Sequence, residues 1–261
     1  MKIFGSYLSV LQKNLVRKIY YKVIGSLSFG QRMRFSAIKS LLDLNEDEII
    51  LDAGSGEGSY SLQFAINNGC TVIGVDLSKE NIEKAKKRAK DLRVNNVQFI
   101  SGDLCDLPFS NNIFDKAICL EVLEHISKDD RAIIELNRVL KEKGELILTI
   151  PHEQVETRRF LYFGRAAEDH VRDGYNPNLL VKKLEYNNFK VLSIRFYARY
   201  FEEISWEIGN AIRQKYPRLW AVVFPVLLVV SKIDYIILPK QFIGNGIAIK
   251  AVKATKDEKA T

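Results

Sequence analysis

The chain has 261 residues, 47% of them hydrophobic, which is enough to bury one complete core and short for two large domains. Its net charge of +7 is uneven: residues 1–42 hold eight Lys or Arg and no Asp or Glu, while the rest is close to neutral. A basic arm of this kind points to an anionic surface, lipid or nucleic acid. Cys70, Cys105 and Cys119 have no paired spacing, which excludes a disulfide framework and a cysteine zinc site and indicates a reducing compartment.

Within the arm, Phe4, Leu8, Leu11, Leu15, Ile19 and Val23 recur at three- and four-residue steps, and Lys13, Arg17, Lys18 and Lys22 cluster away from them. This is the pattern of a basic amphipathic helix. The same cations interrupt any short apolar stretch of the kind a secretory signal needs, so a cytoplasmic location is expected, at the inner face of the membrane if the arm binds lipid. Gly25, Ser26, Ser28 and Gly30 break the pattern; a second helix over 31–42 and a linker over 43–47 follow.

Residues 49–59 read Ile-Ile-Leu-Asp-Ala-Gly-Ser-Gly-Glu-Gly-Ser, an apolar strand entering a glycine-rich turn. Glycine there admits positive φ and leaves the backbone open to a ligand, and the next helix points its free N–H groups the same way. A dinucleotide fingerprint, Gly-x-Gly-x-x-Gly, fails: Gly54 and Gly56 fit, but position 59 is Ser and the third glycine falls early, at Gly58. Glu57 also sets a carboxylate where a pyrophosphate would lie, a repulsion of roughly 4 kcal/mol at about 4 Å and an effective dielectric near 20. A cationic or zwitterionic ligand is expected instead.

Further apolar strands are expected over 70–75, 97–100, 114–120 and 144–150, separated by helical stretches, with a helix over 129–140. The alternation predicts a parallel sheet covered by helices on both faces, with ligands beyond the carboxyl ends of the strands. Asp76 and Asp103 fall at two such ends, and Glu121-Val122-Leu123-Glu124-His125-Ile126 follows the strand over 114–120. A helix opening at Pro177, a sixth strand over 189–196 and a last strand over 246–252 complete the pattern.

The order of these segments from 48 to 152 resembles the class I S-adenosylmethionine-dependent methyltransferases, in particular the subgroup with the ubiquinone and menaquinone methyltransferases. The resemblance implies a doubly wound α/β fold, Rossmann-like, with seven strands of which the last is antiparallel. It implies S-adenosyl-L-methionine as cofactor, S-adenosyl-L-homocysteine as product, and cofactor contacts from Asp52, Gly54, Ser55, Gly56, Asp76, Leu77, Asp103, Leu104 and Glu121. Asp76 would accept the ribose hydroxyls, Asp103 would meet the adenine amino group and Leu104 would lie beside the ring. Some members use an acid and a His four residues apart near the acceptor, which maps to Glu121 and His125.

His125, His152 and His170 all lie past the fourth and fifth strands, where a base for the acceptor belongs. His125 either serves the acceptor or else caps the next helix or packs in the loop after the fourth strand; His152, after Pro151, can face the acceptor pocket. His170, Arg172 and Tyr175, with Arg158, Arg159 and Arg165, form a basic segment suited to a phosphate or carboxylate, or else a solvated loop. No cluster has metal-ligand spacing.

The organisation expected is a basic arm or lid over 1–44, a core over 45–196 and 243–253, a hydrophobic insertion over 197–242 and a polar, disordered tail over 254–261. Residues 219–230 of the insertion are twelve consecutive apolar residues, short of the roughly 20 that span a bilayer. With Arg213, Lys215, Arg218, Lys232 and Lys240 around it and Trp206 and Trp220 near its edge, the insertion reads as an interfacial membrane segment or as a helix pair packed on the sheet or against a second copy. The function expected is methyl transfer to a small, lipid-like or lipid-linked acceptor. Alternatives are a nucleic-acid methyltransferase, disfavoured because no Asn/Asp-Pro-Pro-Tyr/Phe run follows the fourth strand, and a non-catalytic binding protein on the same fold.

Overall fold

The computed structural model describes residues 29–153, 171–172, 174–198, 200–233 and 244–255. The amphipathic stretch of the arm, Arg158, Arg159, Arg165, His170, Lys240 and the end of the tail lie outside these residues. So do the side chains of Arg213, Arg218, Trp206 and Trp220.

Seven strands form one sheet: β1 (Ile49–Ala53), β2 (Thr71–Asp76), β3 (Val97–Ser101), β4 (Phe114–Leu120), β5 (Leu140–Pro151), β6 (Phe189–Tyr197) and β7 (Gly246–Lys253). Their order is β3-β2-β1-β4-β5-β7-β6, with β7 antiparallel to both neighbours and the other six strands parallel. The expected doubly wound sheet with one antiparallel strand is therefore present. Its central strands are nearly continuous apolar runs because helices cover both faces.

On one face Leu51, Ala53, Leu146, Leu148 and Ile150 pack against α4 (Asp129–Val139) and α5 (Pro177–Tyr186). On the other, Ile50, Val72, Ile118 and Ile147 meet α1 (Phe29–Lys39), α2 (Ser59–Asn68) and α3 (Lys79–Leu92). Local chemistry sets the ends of these helices. The Ser78 hydroxyl caps α3 by accepting from the Asn81 N–H at 3.2 Å, and Ile82, Ala85, Ala89 and Leu92 form its buried stripe. The Asn176 side chain caps α5, whose first residue, Pro177, has no N–H to leave unpaired.

Leu140 is the first residue of β5, where the sequence pattern extends the helix to it: it pairs with Phe114 before a register shift in β4. An apolar residue at the end of an amphipathic period carries no signal for that change. Among its described residues the insertion forms two helices, α6 (Tyr200–Lys215) and α7 (Pro217–Val230), in which Ile208 packs with Val223, Phe224, Leu227 and Leu228. Among the described residues no helix is long and apolar enough to cross a membrane. This pair joins α1 through the Arg32 guanidinium, 5.2 Å from the Phe224 ring centre, and the Lys232 ammonium, which donates to the Ser36 hydroxyl at 3.2 Å. Leu219, Val226 and Val229 of α7 remain exposed.

Candidate active site

The glycine turn sits where β1, β2 and β4 end. The N–H groups of Gly54 and Ser55 donate to the Val75 carbonyl at 2.8 and 2.9 Å, drawing the turn over β2, and the Gly56 N–H donates to Asp76 Oδ2 at 2.8 Å. The three glycines serve different ends. A Cβ on Gly54 would come within 2.3 Å of Val122 Cγ2, and one on Gly58 within 2.4 Å of the Phe99 ring, so both allow close packing. A Cβ on Gly56 would meet nothing within 4 Å, which leaves that backbone open. Beside it the Ser55 hydroxyl is buried and has no hydrogen-bond partner among the described residues.

The acidic residues divide in the same way. Asp76 Oδ1 accepts from the Ser78 N–H at 2.9 Å and from Asn81 Nδ2 at 3.4 Å, and Oδ2 is used by Gly56. A carboxylate has about four acceptor positions, so these bonds leave room for a ligand hydroxyl. Asp52, 2% exposed, lies behind the turn and accepts from the Ser61 hydroxyl at the start of α2. Burial pushes its carboxyl up to about 6, against the lowering effect of the Ser61 bonds. Asp103 is exposed and closes its own turn by accepting from the Cys105 N–H at 2.8 Å. Of the two leucines expected near the ligand, Leu77 is 74% exposed, whereas Leu104 gives its side chain to the core.

Contrary to what its place in the sequence suggests, the Glu57 carboxylate does not stand where a pyrophosphate would lie. Glu57 faces α3, with Lys84 at 3.4 Å and Arg88 at 3.6 Å, so its charge is compensated on the outside of the turn and cannot by itself select against a phosphate.

Glu121, after β4, adopts a φ of 56°, and its N–H donates to the Thr149 carbonyl at 2.8 Å. Both carboxylate oxygens are engaged: Oε1 accepts from the Tyr197 hydroxyl at 2.7 Å, and Oε2 pairs with Arg34 of α1 at 2.9 Å. Burial, with the Glu121 charge beside it, pushes the Tyr197 phenol well above its ordinary value and keeps it a donor. Arg34 and Tyr197 were invisible as site residues in the sequence. The first counted only as arm charge, and the second stands one residue past the expected strand end.

His125 lies exposed in a short 3-10 turn (Leu123–His125) directly after Glu121 and Val122. His152 is buried beside Phe196, with ring centres 5.7 Å apart, and burial lowers its pKa against the raising effect of Glu153. Phe196 packs on the α4 and α5 face and Tyr197 on the opposite one, so His152 and the Glu121 carboxylate lie on different sides of the sheet. Arg172 and Tyr175 are tied into the fold. The Tyr175 hydroxyl donates to Asp129 Oδ2 at 2.8 Å, where Arg172 and Lys183 also converge, at 2.8 and 2.7 Å. Burial pushes the Tyr175 phenol far up, reinforced by Asp129, which gives it a structural role rather than an acid–base one. Among the described residues no group of His, Cys, Asp or Glu could hold a metal ion.

Residues 44–203 match the family described as methyltransferase domain. The chain belongs to this family. Within it, the chain is of the class I S-adenosylmethionine-dependent kind. It is 29% identical over 175 residues to sterol 24-C-methyltransferase of Saccharomyces cerevisiae, covering 62% of this chain and 44% of that protein. It is 27% identical over 172 residues to tRNA (carboxymethyluridine(34)-5-O)-methyltransferase of Arabidopsis thaliana, covering 64% and 40%. To the ubiquinone/menaquinone biosynthesis C-methyltransferase of Blochmanniella pennsylvanica it is 33% identical over 128 residues, covering 47% and 50%. The chain thus spans half or less of the length of these relatives.

The family's cofactor is S-adenosylmethionine, and the residues present fit it. The Gly56 backbone is open, the Ser55 hydroxyl is buried with an unused donor, Asp76 has an acceptor position left, and Leu77 presents an uncovered apolar side chain.

Proposed function

We propose that this protein transfers a methyl group from S-adenosylmethionine to a small, lipid-like or lipid-linked acceptor. The observation that carries the donor half is the turn itself, open at Gly56, with a partnerless buried hydroxyl at Ser55 and Asp76 only partly used. When bound, the cofactor supplies an electrophilic methyl group on a sulfonium. The chain aligns it: Asp76 holds hydroxyl groups, Ser55 and the Gly56 backbone meet polar groups, and Leu77 covers an apolar face. Transfer is an in-line displacement, so positioning carries most of the catalysis and a base is needed only where the acceptor must lose a proton. His125, exposed in the turn after β4, is the first candidate base and His152 the second.

The acceptor half rests on α7. Its exposed Leu219, Val226 and Val229, with the basic arm, support contact with an anionic membrane surface from the cytoplasmic side, where a lipid acceptor would be reached. Relatives named for a sterol and a quinone pathway favour this reading, and one named for a tRNA keeps RNA as the rival. Leu-Glu-Val-Leu-Glu-His at the end of β4 weighs against the rival, because it lacks the Pro-Pro-aromatic run that grips a flipped base. Incubation with methyl-labelled S-adenosylmethionine and either a lipid extract or total RNA separates the two. Label in the lipid fraction is expected, and label confined to RNA would replace this reading with the rival.

A further inference from the structure

The fold leads from the arm helix to the donor turn by a series of direct contacts. Arg34 of α1 pairs with Glu121 at 2.9 Å, and its second terminal nitrogen donates to the Tyr60 hydroxyl at 3.4 Å. Glu121 holds a φ of 56°, a left-handed conformation that a non-glycine residue keeps only when its surroundings enforce it. The next residue, Val122, presses on Gly54 so closely that a Cβ there would lie 2.3 Å from its Cγ2. Guanidinium, carboxylate, strained backbone, valine and glycine turn are thus in sequence. The Tyr197 hydroxyl, which accepts from Arg34 Nε at 3.4 Å, donates to the same carboxylate, and its ring lies over Gly246, where a Cβ would come within 2.3 Å of it.

We propose that Arg34 is a positioning residue of the donor site, through which the docking of α1 sets the glycine turn and so the affinity for donor. This rests on the reading of the turn as an S-adenosylmethionine site. With the guanidinium gone, a carboxylate about one-fifth exposed keeps only the Tyr197 donor. It turns toward water, the strain at Glu121 relaxes, and Val122 withdraws from Gly54. Linkage makes the effect reciprocal: the donor must hold α1 in place by the same factor that α1 contributes to donor binding. The same arm carries the chain's basic excess, so an anionic surface that shifts α1 is felt at the donor turn.

The test combines calorimetry with S-adenosylhomocysteine and amide hydrogen exchange over 31–41, on the full chain. Arg34→Ala is expected to weaken binding about tenfold, and Arg34→Lys, which keeps the charge, to recover most of it. In the wild type the ligand slows exchange in α1 by a similar factor; in Arg34→Ala it does not. A merely structural Arg34 would lower the melting temperature without making α1 exchange depend on ligand. Should Arg34→Ala not fold, Tyr197→Phe, which removes the other donor to Glu121, is expected to weaken binding about threefold. Binding in these variants within measurement error of the wild type, or α1 exchange indifferent to ligand, overturns the coupling alone. Absence of binding to the wild type removes the donor reading and the coupling with it.

Discussion

Replacing Asp76 with Ala tests the donor site at its most informative residue, because that carboxylate both shapes the turn and is left partly free for a ligand. It accepts from the Gly56 N–H at 2.8 Å and the Ser78 N–H at 2.9 Å. Both residues are half-buried, so water can take over these donors, and the stability lost is expected to be about 1–2 kcal/mol. Binding loses more. A hydrogen bond to a charged group is worth about 1.5–3 kcal/mol, and one such bond to a donor hydroxyl, together with a turn no longer held at Gly56, gives about 3 kcal/mol, or roughly 150-fold in affinity. Asp76→Asn keeps one acceptor oxygen and should fall between, about tenfold weaker. Calorimetry with S-adenosylhomocysteine measures the affinity and a thermal melt the stability. An Asp76→Ala protein that melts cooperatively and binds within threefold of the wild type would refute the assignment.

Gly56→Ala and Gly58→Ala should part ways. At Gly58 the φ of 74° and the Phe99 ring predict a stability loss of about 3 kcal/mol, whereas at Gly56 only the φ of 52° opposes the change, about 1 kcal/mol, yet the new methyl enters the donor space. Melting should single out the first and calorimetry the second. Asp52 has its folded pKa raised to about 6, so the stability this adds is full below the ordinary carboxylate range near 4 and is lost as pH rises through about 6. Asp52→Asn should flatten the fall in melting temperature between pH 4 and 7, and an unchanged slope would refute the assignment. Finally, Val226→Ser with Val229→Ser should reduce co-sedimentation with anionic vesicles while leaving S-adenosylhomocysteine binding intact, since both side chains are exposed, 59% and 70%. Equal pelleting of variant and wild type would remove α7 from the membrane reading.

The sheet was legible because its strands are apolar runs, the first three of them stopped by Gly or Asp; the expected span of β4 coincides with the observed one, and β6 and β7 differ from theirs by a single residue, whereas β5 begins four residues earlier than expected. The glycine turn was legible for a local reason too, since its glycines and Asp76 stand at fixed offsets from β1 and β2. What escaped is long-range. Arg34 and Glu121 are far apart in sequence, and no period or motif links a cation in a basic arm to one particular carboxylate. Glu57 misled in the opposite sense: it stands in the turn, but Lys84 and Arg88 of α3 decide where its charge points. Arg172 and Tyr175 looked like a loose basic cluster until Asp129, half a domain away, drew them inward.

The position of β7 bears on how the molecule is made. Strands β3, β2, β1, β4 and β5 can line up as the chain emerges, each beside a partner already synthesised, but β6 has no neighbour until Gly246–Lys253 arrives and slots between it and β5. Tyr197 cannot settle over Gly246 before then, and without Tyr197 the Glu121 carboxylate lacks one of its two donors. During synthesis the donor turn therefore precedes its own brace. A nascent chain halted before β7 would carry the glycine turn with Arg34 alone on the Glu121 carboxylate, and its grip on a ligand would tighten as the sheet is completed.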